Sequence, residues 1–440
     1  MHNRWIDLNV TIVTPTFIDG PRGATLPSEL VRGTTFKHGL RRGVAMCLPQ
    51  SMSGNPADHV IDTLYGQAAD DDPSGTPSLI AVRTEPGHFT VADAGTPTDQ
   101  VLGSGARKLN YLLGLGLAKY DRDRQQTLLT RRCLKPGSTF LLQIRARARS
   151  DQFGDPLLLS LIGLRCLALY GGVGSHTSRG WGAIQIDSDA PEWAAAVAAV
   201  PAWPAPGAVA VAAHTSPLMH RVRPLLPPPY AKTPLISDPP TPQEYAQRSR
   251  SLESTEIYRR PGTHRTALEA MADASDYLLN LRRPILLQGR NQNRQITLEW
   301  NARGTNNMIT NAPIGVLGLP IQYYVPGRGT YTLNYSLDRF PSPLHLRPVR
   351  TPSGWAWGSV FYNDWPETPA PTPNQRHPAP ATWTLNPRHG TPTRLNDHVT
   401  LGDDPALTIG DYSSVWHDGL QGCISAEGFR RYVERHAPKP

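Results

Sequence analysis

The sequence predicts an α+β fold whose first 187 residues run strand, helix, strand, strand, helix, strand. Leu8–Thr14 alternates apolar and polar residues as a strand does, and Pro15 ends it. An almost uniformly apolar run, Leu157–Tyr170, predicts a buried helix, and Phe140–Arg149 predicts the strand before it. This order is the split βαβ pattern of a ferredoxin-like domain, with insertions that account for the extra length.

The ends of the apolar helix are marked by residue type. Asp155 is suited to cap the helix, Pro156 suits its first position, and Gly171 is expected to stop it. A glycine-rich segment over 171–182 follows, and Ala183–Ile186 then alternates like a strand. The predicted order is therefore buried helix, glycine-rich loop, strand.

That order excludes a nucleotide-binding P-loop, in which a strand leads into the loop and a helix N-terminus receives the phosphate. Here the helix precedes the loop, so the loop follows the C-terminal end of the helix, which is the negative end of its dipole. Phosphate binding would come from free loop amides and from Arg179, with Trp181 available to stack on a base. This arrangement suits a polynucleotide better than a bound nucleotide. The alternative is a glycine-rich connection with one exposed arginine and a tryptophan in the core.

Two further stretches concentrate positive charge. The segment 34–46 predicts a loop and a short helix that presents Lys37, Arg41 and Arg42, either as a phosphate clamp or as an ordinary solvated basic face. A strand over 140–149 would place Arg145, Arg147 and Arg149 on one face. Such a row suits a phosphate backbone, and it also suits the solvated face of an antiparallel sheet.

Length, charge and cysteine content limit the class of protein. The chain has 440 residues, a formal net charge of +8 and a pI of about 9.4, which favour an anionic partner. Four widely spaced cysteines indicate neither a disulfide framework nor a CxxC metal site. The N-terminus lacks the apolar core of a signal peptide, and the most apolar run is short and carries Arg165. We expect a cytoplasmic protein with no membrane partner.

A segment rich in proline and alanine divides the chain into two predicted domains. We expect an N-terminal domain over 1–190, a Pro/Ala-rich linker or strap over 191–262, and a C-terminal domain over 263–440. In the last of these, a helix is predicted over 264–281, strands over 285–287 and 296–298, an ordered loop over 312–320, and a final helix over 426–436.

Metal and nucleophilic catalysis find little support in the sequence. Asp70, Asp71 and Asp72 are consecutive and lack the spaced pattern of a calcium site, so a solvated loop is the better interpretation. There is no HExxH motif and no pair of CxxC motifs, and Ser175 lacks a GxSxG elbow. We therefore expect no cofactor, no metal and no catalytic residue.

The motifs together resemble a known family. The glycine-rich segment 171–182 resembles the signature of the RAMP superfamily, RNA-binding subunits of CRISPR effector complexes. Further stretches are similar to the first subunit of the Cmr (type III-B) complex: Val13–Phe17, Lys37–Arg41, Leu64–Gly66, Tyr111–Gly116, Val316–Ile321 and Phe340–Arg347. The resemblance implies two ferredoxin-like domains and a non-catalytic role in antiviral defence. It also implies guide and target RNA and other RAMP subunits of the complex as partners.

The resemblance and the charges together select candidate RNA-binding residues. They are Lys37, His38, Arg41, Arg42, Gly171, Gly172, Gly174, Ser175, His176, Arg179, Gly180, Trp181 and Gly182. His176 departs from the family pattern, in which this loop position often carries arginine, and a neutral imidazole attracts phosphate less. Two alternatives stay open: a RAMP endoribonuclease with His38 or His176 as general base, and a scaffold that contacts only protein.

Overall fold

The computed structural model describes residues 4–18, 31–49, 55–66, 77–147, 153–210, 212–228, 251–286, 321–325, 329–335, 344–362, 381–387 and 393–394, together with Met52, Tyr230 and Ser342. The chain divides into two compact units. One comprises Met1–Ser275 with Leu344–Asp364, and the other comprises Asp276–Pro343 with Trp365–Pro440. The first unit crosses the domain boundaries predicted at residues 190 and 262.

The described residues form the following elements. The helices are α1 (Gly33–Cys47), α2 (Asn55–Tyr65), α3 (Asp99–Leu102), α4 (Ala106–Leu117), α5 (Pro156–Tyr170), α6 (Pro191–Ala199), α7 (Ala212–Val222) and α8 (Ala267–Leu286). The strands are β1 (Ile6–Ile12), β2 (Ile80–Glu85), β3 (Val91–Ala92), β4 (Ala118–Asp121), β5 (Gln126–Leu129), β6 (Cys133–Leu134), β7 (Thr139–Ala146), β8 (Ile184–Asp187), β9 (Val209–Ala210), β10 (Thr255–Arg259), β11 (Ile321–Val325), β12 (Gly329–Tyr335), β13 (Leu344–Thr351), β14 (Gly354–Tyr362), β15 (Ala381–Pro387) and β16 (Thr393–Arg394).

The first sheet has the connectivity that the sequence predicts for residues 1–187. Its strands lie in the order β2-β7-β1-β8, and each neighbouring pair is antiparallel. The central pair aligns Leu8 with Leu142 and Val10 with Phe140, and all four side chains are buried. They join the apolar side chains of α1 and α5 in one core. The α+β class is therefore confirmed.

The termini of α5 also follow the prediction. The Leu158 amide donates a hydrogen bond of 2.9 Å to the Asp155 carboxylate, and Pro156 occupies the first turn, where its missing N–H costs nothing. The helix ends at Tyr170, one residue before Gly171. The glycine-rich segment thus begins where the buried helix leaves the core.

Helices α1 and α5 are in main-chain contact. A Cβ at Gly43 would overlap the Gly163 carbonyl oxygen, and a Cβ at Gly163 would lie 2.7 Å from the Val44 amide nitrogen. The two glycines therefore allow the helix axes to approach more closely than side chains would permit. This contact fixes where α1 presents its basic residues relative to the end of α5.

Between β2 and β7 the chain carries the predicted insertion. It contains α3, α4 and two small antiparallel sheets, β3-β6 and β4-β5. Helix α4 is kinked at Gly114, whose φ of 63° and ψ of −178° are not helical. Only a glycine adopts this conformation without strain, so the kink is fixed by the sequence.

The segment 191–262 is not an extended linker over its described residues, which corrects the prediction. Alanine favours helices, and Pro191 stands in the first turn of α6, where proline is tolerated. The segment also supplies α7, β9 and β10, and the latter two strands belong to a second sheet with the order β13-β14-β10-β9. A Pro/Ala-rich composition alone does not distinguish short helices separated by prolines from an extended linker.

Helix α8 extends further than predicted. It continues to Leu286, so residues 285 and 286 are helical and not the start of a strand. Pro284 therefore lies within the helix, although it lacks the amide that would bond to the preceding turn. The predicted strand at 296–298, loop at 312–320 and final helix at 426–436 lie outside the described residues.

The second compact unit contains a third four-stranded sheet. Its order is β11-β12-β15-β16, and its neighbouring strands are antiparallel. The second ferredoxin-like domain stays a prediction. In the part of the chain that the structure describes, no helix is long and apolar enough to cross a membrane.

The contact between α1 and α5 predicts the effect of one added methyl group. Gly43→Ala would force the two helices apart and lower the free energy of unfolding by about 2 kcal/mol, measured by urea denaturation. The control is Gly105→Ala, because a Cβ there meets the Leu109 side chain at an ordinary 3.6 Å. Equal stability of the two variants would contradict the close packing of these helices.

Candidate nucleic-acid interface

The glycine-rich loop, residues 171–182, is bonded to the chain that follows β1. The Ser175 amide donates to the Phe17 carbonyl at 2.9 Å, and the Gly182 amide donates to the Pro15 carbonyl at 3.0 Å. Within the loop, the Val173 amide donates to the Gly182 carbonyl at 2.9 Å and closes it. The Val13–Phe17 motif and the glycine-rich motif are therefore two sides of one main-chain network.

Several loop glycines are required by this network. Gly174, Gly180 and Gly182 have φ values of 88°, 83° and 68°, which other residues adopt only with strain. A Cβ at Gly182 would also overlap the Val173 carbonyl oxygen. These glycines serve the folding of the loop itself. The predicted role, in which the glycines let an RNA backbone approach closely, is therefore possible only where the loop is exposed.

Exposure divides the loop into parts. Residues 171–173 and 180–182 are buried, whereas Gly174 is exposed and Ser175, His176, Ser178 and Arg179 are half-buried. The accessible part therefore lies within residues 174–179, called here the open arc, in which Thr177 is buried. A nucleic acid could reach the loop only at these residues.

Trp181 is not available for base stacking, which corrects that interpretation of the sequence. Its side chain is fully buried, its indole N–H donates to the Leu112 carbonyl at 3.0 Å, and its ring packs edge-on against Phe17. Tryptophan combines a large apolar surface with one polar group that must be satisfied, and both are used internally here. Trp181 joins the loop to helix α4.

The kink of α4 accommodates two loop side chains. A Cβ at Gly114 would lie 2.6 Å from Nη1 of Arg179, so the absence of a side chain makes room for the guanidinium. A Cβ at Gly116 would lie 3.2 Å from Cε1 of His176. The glycines of the Tyr111–Gly116 motif thus position the basic residues of the open arc.

The basic residues of α1 do not act as one clamp. Lys37 donates to the Tyr65 carbonyl at 3.1 Å, and Arg41 donates to the Gly66 carbonyl at 2.8 Å and forms an ion pair with Asp62. Both cations therefore meet the C-terminal end of α2, where carbonyl groups lack helical partners. Burial, followed by the charges of Arg147 and Arg41, lowers the pKa of Lys37.

Arg42 is the α1 residue that reaches the loop. Nη2 of its guanidinium donates to the Thr177 hydroxyl at 3.0 Å. The i, i+4 spacing puts His38 beside Arg42 on the same face of the helix. Burial lowers the pKa of His38, and the charges of Arg42 and Arg41 lower it further. His38 is thus neutral at pH 7.

Arg347, which ends the Phe340–Arg347 motif but is not among the candidate RNA-binding residues, lies under the loop. This residue of β13 is 1 % exposed, and a Cβ at Gly172 would lie 2.7 Å from its Nη1. Among the described residues, Nε, Nη1 and Nη2 have no hydrogen-bond partner. The alternation of Leu344 and Leu346 predicts an outward-facing residue at 347, so no sequence signal indicates this burial.

The predicted row of arginines is only partly formed. Arg145 lies 4.5 Å from the centre of the Trp5 ring, and Arg83 lies 4.4 Å from it. Arg147 is exposed just beyond the end of β7, and Arg149 lies outside the described residues. The two stacked arginines are cation–π partners of Trp5.

No protein-family model matches the sequence, and no curated protein matches it. Among solved structures, the chain is similar to Cmr1 from Pyrococcus furiosus in its apo form, with 13 % identity, a TM-score of 0.45, and coverage of 85 % of this chain and 92 % of that one.

Two further similar chains come from cryo-EM structures of the type III-B Cmr-beta. One is bound to cognate target RNA, and it matches with 12 % identity, a TM-score of 0.42, and coverage of 81 % of this chain and 94 % of that one. The other is bound to cognate target RNA and AMPPnP in the presence of ssDNA, with 11 % identity, a TM-score of 0.41, and coverage of 81 % and 93 %.

The contacts of Arg41 predict a structural effect. Arg41→Gln would remove the ion pair with Asp62 and the bond to the Gly66 carbonyl, and would lower the free energy of unfolding by about 1 kcal/mol. Arg265→Gln is the control, because it removes an i, i+4 ion pair with Glu269 in which the arginine is 91 % exposed, and exposed pairs contribute little. Both would be measured by urea denaturation. Unchanged stability of Arg41→Gln would show that these contacts contribute nothing.

The lowered pKa of His38 predicts a dependence of stability on pH. Between the folded pKa and the ordinary value of 6.5, the unfolded chain binds more protons, so the free energy of unfolding falls as the pH drops through this window. His38→Gln removes the titration and should flatten this part of the profile. Chemical denaturation of both proteins at pH 7.5 and 5.5 measures it. Parallel profiles would rule out a lowered pKa.

Proposed function

We propose that this chain is a non-catalytic RNA-binding subunit of a type III-B CRISPR effector complex, acting in the cytoplasm in antiviral defence. Its open arc contacts the backbone of guide or target RNA, and other RAMP subunits bind beside it. The fold is that of two ferredoxin-like domains, as the motif resemblance implies.

One observation carries the proposal. Four sequence-distant stretches converge on the glycine-rich loop: Val13–Phe17, α1 through Arg42, Tyr111–Gly116 and the end of Phe340–Arg347. The motif resemblance to RAMP proteins rests largely on the loop and on these parts of the chain. Convergence of basic side chains beside accessible main chain is the arrangement that backbone recognition needs.

The convergence also reduces the set of residues that we expect to contact RNA. His176, Arg179 and Ser175 lie on the open arc, and Arg42 reaches it from α1. Lys37 and Arg41 contribute positive potential from the end of α2, because they are already bonded there. We therefore expect phosphate contacts from the first group and weaker, longer-range effects from the second.

Salt dependence tests the proposal directly. The affinity of the chain for a single-stranded RNA should fall steeply between 50 and 200 mM salt, measured by fluorescence anisotropy. Arg42→Gln should weaken binding by roughly threefold to tenfold and reduce the slope of log K against log salt by about 0.7. Arg265→Gln removes the same charge from an exposed position and should change neither.

Two outcomes would favour the alternatives. RNA that never crosslinks to residues 174–179 or α1 in the assembled complex would support a scaffold that contacts only protein. Cleavage of RNA by the purified chain, lost in His38→Ala or His176→Ala, would support an endoribonuclease. The proposal requires crosslinks at the open arc and intact RNA.

A further inference from the structure

The geometry points to a phosphate-group site in which Arg347 supplies a buried charge behind the glycine-rich loop and Arg42 supplies the direct contact. This inference rests on the proposed function and deepens it, because it names the residues that hold one phosphate. The phosphate belongs to an RNA backbone or is free in solution, and the experiment below distinguishes the two sources.

Arg347 is a buried cation without a hydrogen-bond partner among the described residues. The residue is 1 % exposed, and Nε, Nη1 and Nη2 are all unpaired there. The charged or titratable groups that affect it are Arg42, which repels it, and Tyr362, whose influence is smaller. Within the described ranges Arg347 forms no ion pair. Burial lowers the pKa of Arg347 to about 9, so the group is still charged at pH 7.

An uncompensated buried charge of this kind is expensive for folding. Buried polar groups in native proteins are nearly always bonded, and exceptions call for a ligand, an ion or a functional role. An anion at the neighbouring loop surface would offset this charge electrostatically, without direct contact.

The arginine is held in place by the loop. The Leu346 amide donates to the Ser178 carbonyl at 2.8 Å, and Arg179 and Leu346 form a parallel bridge. This pairing aligns β13 with the open arc. The backbone from which the Arg347 side chain extends is thus fixed relative to residues 174–179 by main-chain bonds.

The guanidinium of Arg347 lies against the main chain of the glycine-rich loop. A Cβ at Gly172 would lie 2.7 Å from Nη1, so a side chain at that position would overlap it. Arg42 reaches the same loop through Thr177. A phosphate at the arc accepts hydrogen bonds from Arg42 and is attracted by Arg347 across a layer of low polarity, where water screens the charge little.

The test replaces the buried charge with an apolar side chain of similar length. Arg347→Met should raise the melting temperature of the free chain, because it removes an unpaired buried charge. The same variant should weaken binding of single-stranded RNA by roughly threefold to tenfold and lower the salt slope by about 0.7. Arg347→Lys should retain most of the affinity. Arg265→Met is the matched control and should change neither property.

A second measurement uses inorganic phosphate as the probe. Phosphate should raise the melting temperature of the wild-type chain above that in chloride at equal ionic strength, and should not do so in Arg347→Met. If Arg347→Met loses this effect but binds RNA normally, the site takes free phosphate and the RNA assignment is overturned.

Other outcomes separate the two proposals. If the wild-type chain binds no RNA while the phosphate effect persists, the proposed function fails and the anion site stands. If RNA binds and Arg347→Met changes neither the RNA affinity, nor the salt slope, nor the phosphate effect, only this inference fails. A lower melting temperature for Arg347→Met would also overturn it, because the charge would then be compensated in the free chain.

Discussion

The closure of the glycine-rich loop is the constraint on which the candidate site depends. Gly182 must bring its main chain against Val173, and the Val173 amide bonds back to the Gly182 carbonyl. A side chain at residue 182 would overlap that contact. Because the loop closes here, its two ends are buried and residues 174–179 project as one accessible arc, to which Arg42 adds a charge.

The same closure has an electrostatic consequence. It places the main chain at Gly172 against the Arg347 guanidinium, which has no hydrogen-bond partner among the described residues. The chain thus keeps an unfavourable charge that an apolar residue would avoid, which is the kind of local conflict found at functional sites. Lys37 and Arg41 show the opposite arrangement, since their charges are met by the end of α2. Position along the sequence does not distinguish these two situations.

Local patterns predicted much of the first sheet and little of the site geometry. Asp155, Pro156 and Gly171 determine the ends of α5 through capping and backbone preferences, which act over a few residues. Trp181 was assigned to base stacking, yet its indole is bonded to Leu112 in the core. The Pro/Ala-rich segment forms helices and strands because neighbouring elements offer it a packing surface, and composition carries no information about such neighbours.

The sequence by itself determined the order of elements, the positions where only glycine is tolerated, and the excess of positive charge. These properties depend on single residues and their near neighbours. The tertiary structure decided which cations meet the loop and which are neutralised elsewhere. Arg41 and Arg42 are adjacent in the chain, but one bonds Asp62 and the other bonds Thr177, because side chains one residue apart on a helix point in different directions.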